Sequence, residues 1–156
     1  MTLYWRSKGK SLLEHLNDMY KEYGYFEDRA ISQNFPGSSG KETMANIMTK
    51  LRTEGLKSLG GKTVTSIRDV QNSIVFDPAN PSDKKPFDLP KSNVLQFFLE
   101  GGTIVSARPS GTEPKIKFYV NATVPVDKGL DAAKAEAKEL CAAIEKEINA
   151  ILDAAN

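Results

Sequence analysis

Residues 93–123 constrain the fold more than any other part of the chain. The stretch 93–99 is apolar and ends at Glu100-Gly101-Gly102, a hairpin signal. A second strand-like run covers 103–108. Residues 115–123 alternate cleanly, with Ile116, Phe118 and Val120 facing one way and Lys117, Tyr119 and Asn121 the other. A parallel crossover needs about a dozen connecting residues or more. The connections here are shorter, so the predicted sheet is mainly antiparallel.

The rest of the chain adds strands and helices around that unit. The segment from Phe26 to Phe35 is strand-like and ends at Pro36-Gly37. Beyond the Gly60-Gly61 turn, residues 62–69 and 73–76 read as two more strands. Asp77 to Ser92 carries Pro78, Pro81, Pro86 and Pro90 among polar residues, which reads as a loop. Residues 10–23 are a predicted helix, with Leu12, Leu16, Met19, Tyr20 and Tyr23 at helical spacing and Gly24 as the stop. Residues 1–8 look like the end of another helix, in which Tyr4 and Trp5 need a packing partner. Ser39 followed by Glu42 has the form of a capping box, and Met44, Ile47, Met48 and Leu51 continue it as a helix. The last helix runs from about Asp127 or Lys128 to Ala154 on a stripe of Leu130, Ala133, Ala137, Leu140, Cys141, Ile144, Ile148 and Ile151. The expected fold is α+β: an antiparallel sheet of about four to five strands with two helices on one face, preceded by a short helical segment.

The chemistry concentrates in one loop, Arg108-Pro109-Ser110-Gly111-Thr112-Glu113-Pro114-Lys115. A phosphate dianion needs donors that converge and stay in place. Arg108 offers a planar fork of N–H groups. Ser110 and Thr112 add hydroxyls, and backbone N–H groups around Gly111 can turn inward if the glycine takes φ > 0. Pro109 and Pro114 stiffen both ends. The parity of the following strand puts Lys117 opposite the core face, near the loop, as a second positive charge or a solvated one. Ser-Gly-Thr is equally good turn chemistry, so the residues alone leave an anion cradle and a plain connection both open.

Composition excludes several classes. The 21 Lys+Arg and 20 Asp+Glu leave a net charge of +1, so the bulk charge gives no reason to expect nucleic acid or an anionic membrane. Cys141 is the only cysteine, which rules out an internal disulfide or a cysteine cluster for a metal and fits a reducing, cytoplasmic setting. It reads as a core residue. His15 is the only histidine and sits among leucines, so a histidine-based triad has little to work with. Gly40-Lys41 is no P-loop, because the motif's first glycine falls on Phe35 and Glu42 follows the lysine.

The run from Arg108 through Lys117 resembles the phosphate-binding loop of the α-D-phosphohexomutase superfamily of phosphoglucomutases and phosphomannomutases, in its phosphoglucomutase-like branch. The resemblance extends to Leu89-Pro90-Lys91-Ser92-Asn93-Val94-Leu95 and to Tyr20-Lys21-Glu22-Tyr23-Gly24-Tyr25. It implies a TBP-like C-terminal (fourth) domain over residues 25–156, with residues 1–24 as the terminal helices and linker of the preceding third domain. The chain is then expected to be a piece of a longer protein.

The resemblance also implies a chemistry. A phosphoserine in the first domain exchanges a phosphoryl group with a hexose phosphate through a bisphosphate intermediate, assisted by Mg2+. Arg108, Ser110, Gly111, Thr112 and Lys117 are implied contacts of the non-reacting phosphate, with Glu113 in support. The implied partners are a phosphosugar and the remaining domains of the same enzyme, with no nucleic acid and no membrane. No phosphoserine loop, Asp-Gly-Asp metal loop or sugar-reading loop of the family occurs here, so no catalytic residue, metal ligand or bound cofactor is expected in this piece and it should be inactive alone. The alternative is a standalone module for phosphorylated ligands or a protein partner; nucleic-acid binding is disfavoured by the balanced charge.

Overall fold

The computed structural model describes residues 2–155. Two helices open it, α1 (Thr2–Ser7) and α2 (Leu12–Tyr23), followed by β1 (Tyr25–Asn34) and α3 (Gly40–Thr53). Then come β2 (Ser58–Leu59), β3 (Lys62–Asp69), β4 (Ile74–Asp77), β5 (Asn80–Pro86), β6 (Leu95–Leu99), β7 (Ile104–Pro109) and β8 (Lys115–Val124), and α4 (Leu130–Asp153) closes the chain. The sheet runs β1-β8-β7-β6-β3-β4-β5, with β2 added on β3, and every pairing is antiparallel. The α+β class and the antiparallel sheet are as expected.

The sheet is wider than the expected four to five strands, with 8 strands. The largest omission is β5, which lies inside the proline-rich stretch that reads as a loop. It is an exposed edge strand in which Pro86 pairs with Ile74. Proline is tolerated there because an edge strand has one side with no ladder to donate to.

The core lies between the sheet and two helices. α4 covers β1 and β8, and α3 covers β8 and β7. The alternation of β8 determines this: Ile116, Phe118, Val120, Ala122 and Val124 are buried while Lys117, Tyr119 and Asn121 are exposed. From α4, Ala133, Ala137, Leu140, Cys141, Ile144, Ile148 and Leu152 meet that surface. Leu152 thus takes the place expected for Ile151, which is only half-buried. Glycine is required at Gly60, where φ is +57° and a Cβ would stand 2.6 Å from Ile144 Cγ1.

Two helix starts depart from expectation. α4 begins at Leu130, with Gly129 as its cap residue, rather than at Asp127 or Lys128, and α3 lacks the expected capping box. Ser39 makes no side-chain cap hydrogen bond and is itself in the αR region. A side chain at Gly40 would overlap the Phe35 carbonyl oxygen, so only glycine fits there. The reciprocal capping box belongs to α2: the Glu14 N–H donates to Ser11 Oγ at 3.2 Å, and the Ser11 N–H donates to Glu14 Oε2 at 2.7 Å. Trp5 finds its partner within the chain, stacked on His15 with centroids 3.7 Å apart. Tyr4 stays exposed.

One buried carboxylate ties the layers together. Asp69 is 1% exposed. It accepts from Arg52 Nε on α3 at 3.0 Å, from Asn72 Nδ2, and from the Gln71 N–H at 3.2 Å. Arg52 also donates to Asn93 Oδ1 at 2.8 Å, which fixes the approach to β6. The donors around it replace the water that a buried carboxylate loses.

Candidate anion site on the β7–β8 loop

Arg108 and Lys117 are register partners in the β7–β8 ladder. Closely opposed residues in such a pair have Cβ atoms about 4.5–5.5 Å apart and point to the same face. Both side chains are exposed on the face opposite α3 and α4. On the other side of β8, Ser32 is the register partner of Lys117. One rung of the open face therefore reads Ser32, Lys117, Arg108. Among the described residues, neither cation has a carboxylate within ion-pair distance.

The loop between the strands is organised from within. The Ser110 N–H donates to the Lys115 carbonyl at 2.8 Å, and the Lys115 N–H to the Glu113 carbonyl at 2.8 Å. Ser110 Oγ accepts from the N–H groups of Thr112 at 3.4 Å and Glu113 at 3.3 Å, forming a serine turn. The hydroxyl proton of Ser110 is left to point elsewhere. The Phe35 N–H donates to the Pro114 carbonyl at 2.8 Å, so the end of β1 braces the loop.

Gly111 differs from expectation. It does not adopt a positive φ, so the loop makes no use of glycine's left-handed freedom. A Cβ there would meet nothing within 4 Å. The space over Gly111 is open, and its small size leaves the backbone approachable from outside. The Glu113 backbone serves the loop through the two hydrogen bonds above, while no hydrogen bond or ion pair ties its side chain to Arg108.

The open face carries a second polar rung, which inspection of the sequence missed. Two residues along from Arg108 and Lys117, the register places Ala30, Tyr119, Ser106, Gln96 and Arg68 side by side. Arg68 donates to Gln96 Oε1 at 3.3 Å, and Gln96 Nε2 donates to Ser106 Oγ at 3.3 Å. The Arg68 guanidinium lies 4.9 Å from the Phe98 ring centroid and 5.4 Å from that of Phe87. Strand parity is the signal that would have found this rung, once the pairing order was known.

Other features fall outside this site. An apolar groove of about 460 Å³ lies between the ends of α3 and α4, lined by Leu51, Leu56 and Ile151 among others, and no residue of the β7–β8 loop lines it. Cys141 is buried, and burial pushes its thiol pKa up. Among the described residues no group of three His, Cys, Asp or Glu side chains is placed to hold a metal ion. No helix among them is long and apolar enough to cross a membrane.

The comparisons with known proteins agree with this architecture. Residues 48–147 match the family model described as phosphoglucomutase/phosphomannomutase, C-terminal domain. The phosphoglucomutase of Staphylococcus epidermidis is 36% identical over 116 residues, covering 74% of this chain and 21% of that protein. That of Staphylococcus saprophyticus is 37% identical over the same span and shares. The chain thus covers about a fifth of the length of these curated relatives, 21%. Among solved structures, the open form of the Paramecium exocytosis-sensitive phosphoprotein pp63/parafusin, a phosphoglucomutase, superposes with a TM-score of 0.51 at 18% identity, over 96% of this chain and 24% of that one. At that identity the likeness speaks for the fold alone. With the matched range containing the whole β7–β8 unit and its loop, the chain belongs to the phosphoglucomutase/phosphomannomutase family, in the part that forms the family's C-terminal domain.

Proposed function

We propose that the β7–β8 loop holds the non-reacting phosphate of a phosphosugar while chemistry proceeds on other domains of a longer phosphohexomutase. Arg108, Lys117, Ser110, Thr112 and the Gly111 backbone are the contacts. The observation that carries this reading is the like-charged rung. Two cations opposite each other in a ladder destabilise the sheet, and among the described residues no carboxylate relieves them. A phosphate dianion placed between them would remove the repulsion and accept bidentate bonds from Arg108. Ser110 would donate its remaining proton to the ligand, and the open space over Gly111 admits a phosphate oxygen close to the backbone.

Phosphoryl transfer depends on positioning and charge stabilisation. Binding energy from a remote phosphate orients the reacting end. The described residues offer no ligand cluster for Mg2+ and no base beside Ser110, so no chemical step is assigned to this chain, and residues 1–24 are read as belonging with the preceding domain. Affinity in isolation should be near millimolar, about 4 kcal/mol.

A thermal-shift titration tests the reading. Phosphate should raise the melting temperature of the chain in a saturable way, and Arg108→Ala should abolish the rise. An equal rise in Arg108→Ala would refute the assignment. A coupled assay should find no interconversion of glucose 1-phosphate and glucose 6-phosphate by the chain alone.

A further inference from the structure

The second polar rung of the open face has a fixed direction of hydrogen bonding. The Arg68 guanidinium carries donors and no acceptor. It therefore holds Gln96 by its oxygen, with Nη1 donating to Oε1 at 3.3 Å. That orients the amide, so the NH2 group is the end that meets Ser106, with Nε2 donating to Oγ at 3.3 Å. Ser106 Oγ accepts in this bond, and its own proton is left to donate elsewhere. Among the described residues no acceptor is bonded to that proton.

The chain of bonds is anchored at its origin. The Arg68 guanidinium rests against the rings of Phe98 and Phe87. Its Nε is buried with no acceptor, the one such side-chain atom among the described residues. An orphaned buried donor costs stability. Nor does any carboxylate among the described residues stand within ion-pair distance of Arg68. The fold thus keeps a cation at the head of this rung against its own stability.

The free proton stands beside the anion site. Ser106 lies two residues from Arg108 on β7, and its register partner Tyr119 lies two residues from Lys117 on β8. Residues so spaced share a face and stand about 6.7 Å apart along the strand. In the other direction both strands end in the loop that holds Ser110 and Thr112. The group that carries a phosphate seated on the Arg108–Lys117 rung is therefore bounded by the loop on one side and meets Ser106 on the other. We propose that Ser106 is a further ligand-binding residue, whose hydroxyl donates to a hydroxyl oxygen of the group that carries the phosphate. Arg68 and Gln96 are positioning residues that keep the Ser106 proton turned outward. The inference rests on the phosphate reading and adds to it a preference for a polyhydroxylated carrier.

Amide NMR titrations of the chain with methyl phosphate and with glucose 6-phosphate test it. At about pH 8 both are dianionic phosphate esters, and only the second has hydroxyls to offer. The chain should bind glucose 6-phosphate more tightly by roughly two- to tenfold, the effect of one hydrogen bond. Ser106→Ala should bring that ratio to one and leave methyl phosphate binding unchanged. Gln96→Glu tests the direction of the bonds. Its carboxylate accepts from Ser106 and turns the proton inward, so the ratio should fall as in Ser106→Ala. The added negative charge weakens both ligands alike and cancels in the ratio, whereas a merely structural Gln96 would leave the ratio unmoved. Saturable methyl phosphate binding reports that the site of each variant is folded. If methyl phosphate binds through Arg108 but the ratio is already one, or survives in Ser106→Ala or Gln96→Glu, the role of Ser106 is overturned and the phosphate reading stands. If methyl phosphate fails to bind, or binds equally in Arg108→Ala, the phosphate reading is overturned and the role of Ser106 falls with it.

Discussion

Arg108 and Lys117 face each other across the β7–β8 ladder on the open side of the sheet, two cations with no carboxylate on either among the described residues. A fold selected only for stability would place an acid at one of these positions. Lys117→Glu should therefore stabilise the ligand-free chain by about 0.2–1 kcal/mol while weakening phosphate binding. Urea unfolding and a phosphate titration on the same variant check both signs. A loss of stability in Lys117→Glu would show that the pair is not repulsive.

The Asp69 network should be the most sensitive polar feature of the fold. Asp69→Ala leaves Arg52 and Asn72 without their buried acceptor. Breaking a buried charge pair from one side costs about 3–5 kcal/mol. Chemical denaturation measures it. Asp69→Ala within about 1 kcal/mol of wild type would mean that water replaces the carboxylate.

Glycines at two turns should respond differently to the same substitution. Gly60→Ala combines a positive φ with a clash on Ile144 and should cost about 2–4 kcal/mol. Gly61→Ala has φ +72° but open space around its Cβ, and only the backbone strain of about 1 kcal/mol remains. Gly111→Ala has neither strain nor clash, so it should melt like wild type and bind phosphate less well.

Tyr25 gives a handle on high pH. Its hydroxyl donates to Glu27 Oε2 at 2.7 Å, and this bond, with burial and the Glu27 charge, pushes its pKa up to about 12 from 10.0. The folded state then holds the proton more tightly than the unfolded state. That contribution to stability is complete below pH 10 and is lost as pH rises from 10 toward 12. Ultraviolet titration should show a tyrosine titrating near pH 12, absent in Glu27→Ala. The variant's stability should also fall less steeply across that window. A Tyr25 that titrates near its ordinary value of 10.0 would contradict the hydrogen bond.

Local pattern made the strands legible wherever one face is buried. The alternation of residues 115–123 is the same in sequence and in structure, and it placed Lys117 on the open face before any pairing was known. β5 has no buried face, so nothing in its composition distinguishes it from a loop. The capping signal was right in kind and misplaced. Ser11–Glu14 and Ser39–Glu42 share the same spacing, but Ser39 sits in the αR region, where its side chain forms no cap bond, and only the first pair makes the reciprocal bonds. The loop residues of the site were legible because they are contiguous. Ser32 and the Arg68–Gln96–Ser106 rung were not, because they join the face only through pairings between distant segments.

An amide NMR titration of the chain, with inorganic phosphate and then glucose 1,6-bisphosphate, tests the central claim most directly. The account predicts saturable shifts at Ser110, Gly111 and Thr112 in the millimolar range of ligand, lost in Arg108→Ala while the remaining spectrum is unchanged. Shifts that stay linear with ligand, or that survive in Arg108→Ala, would contradict it.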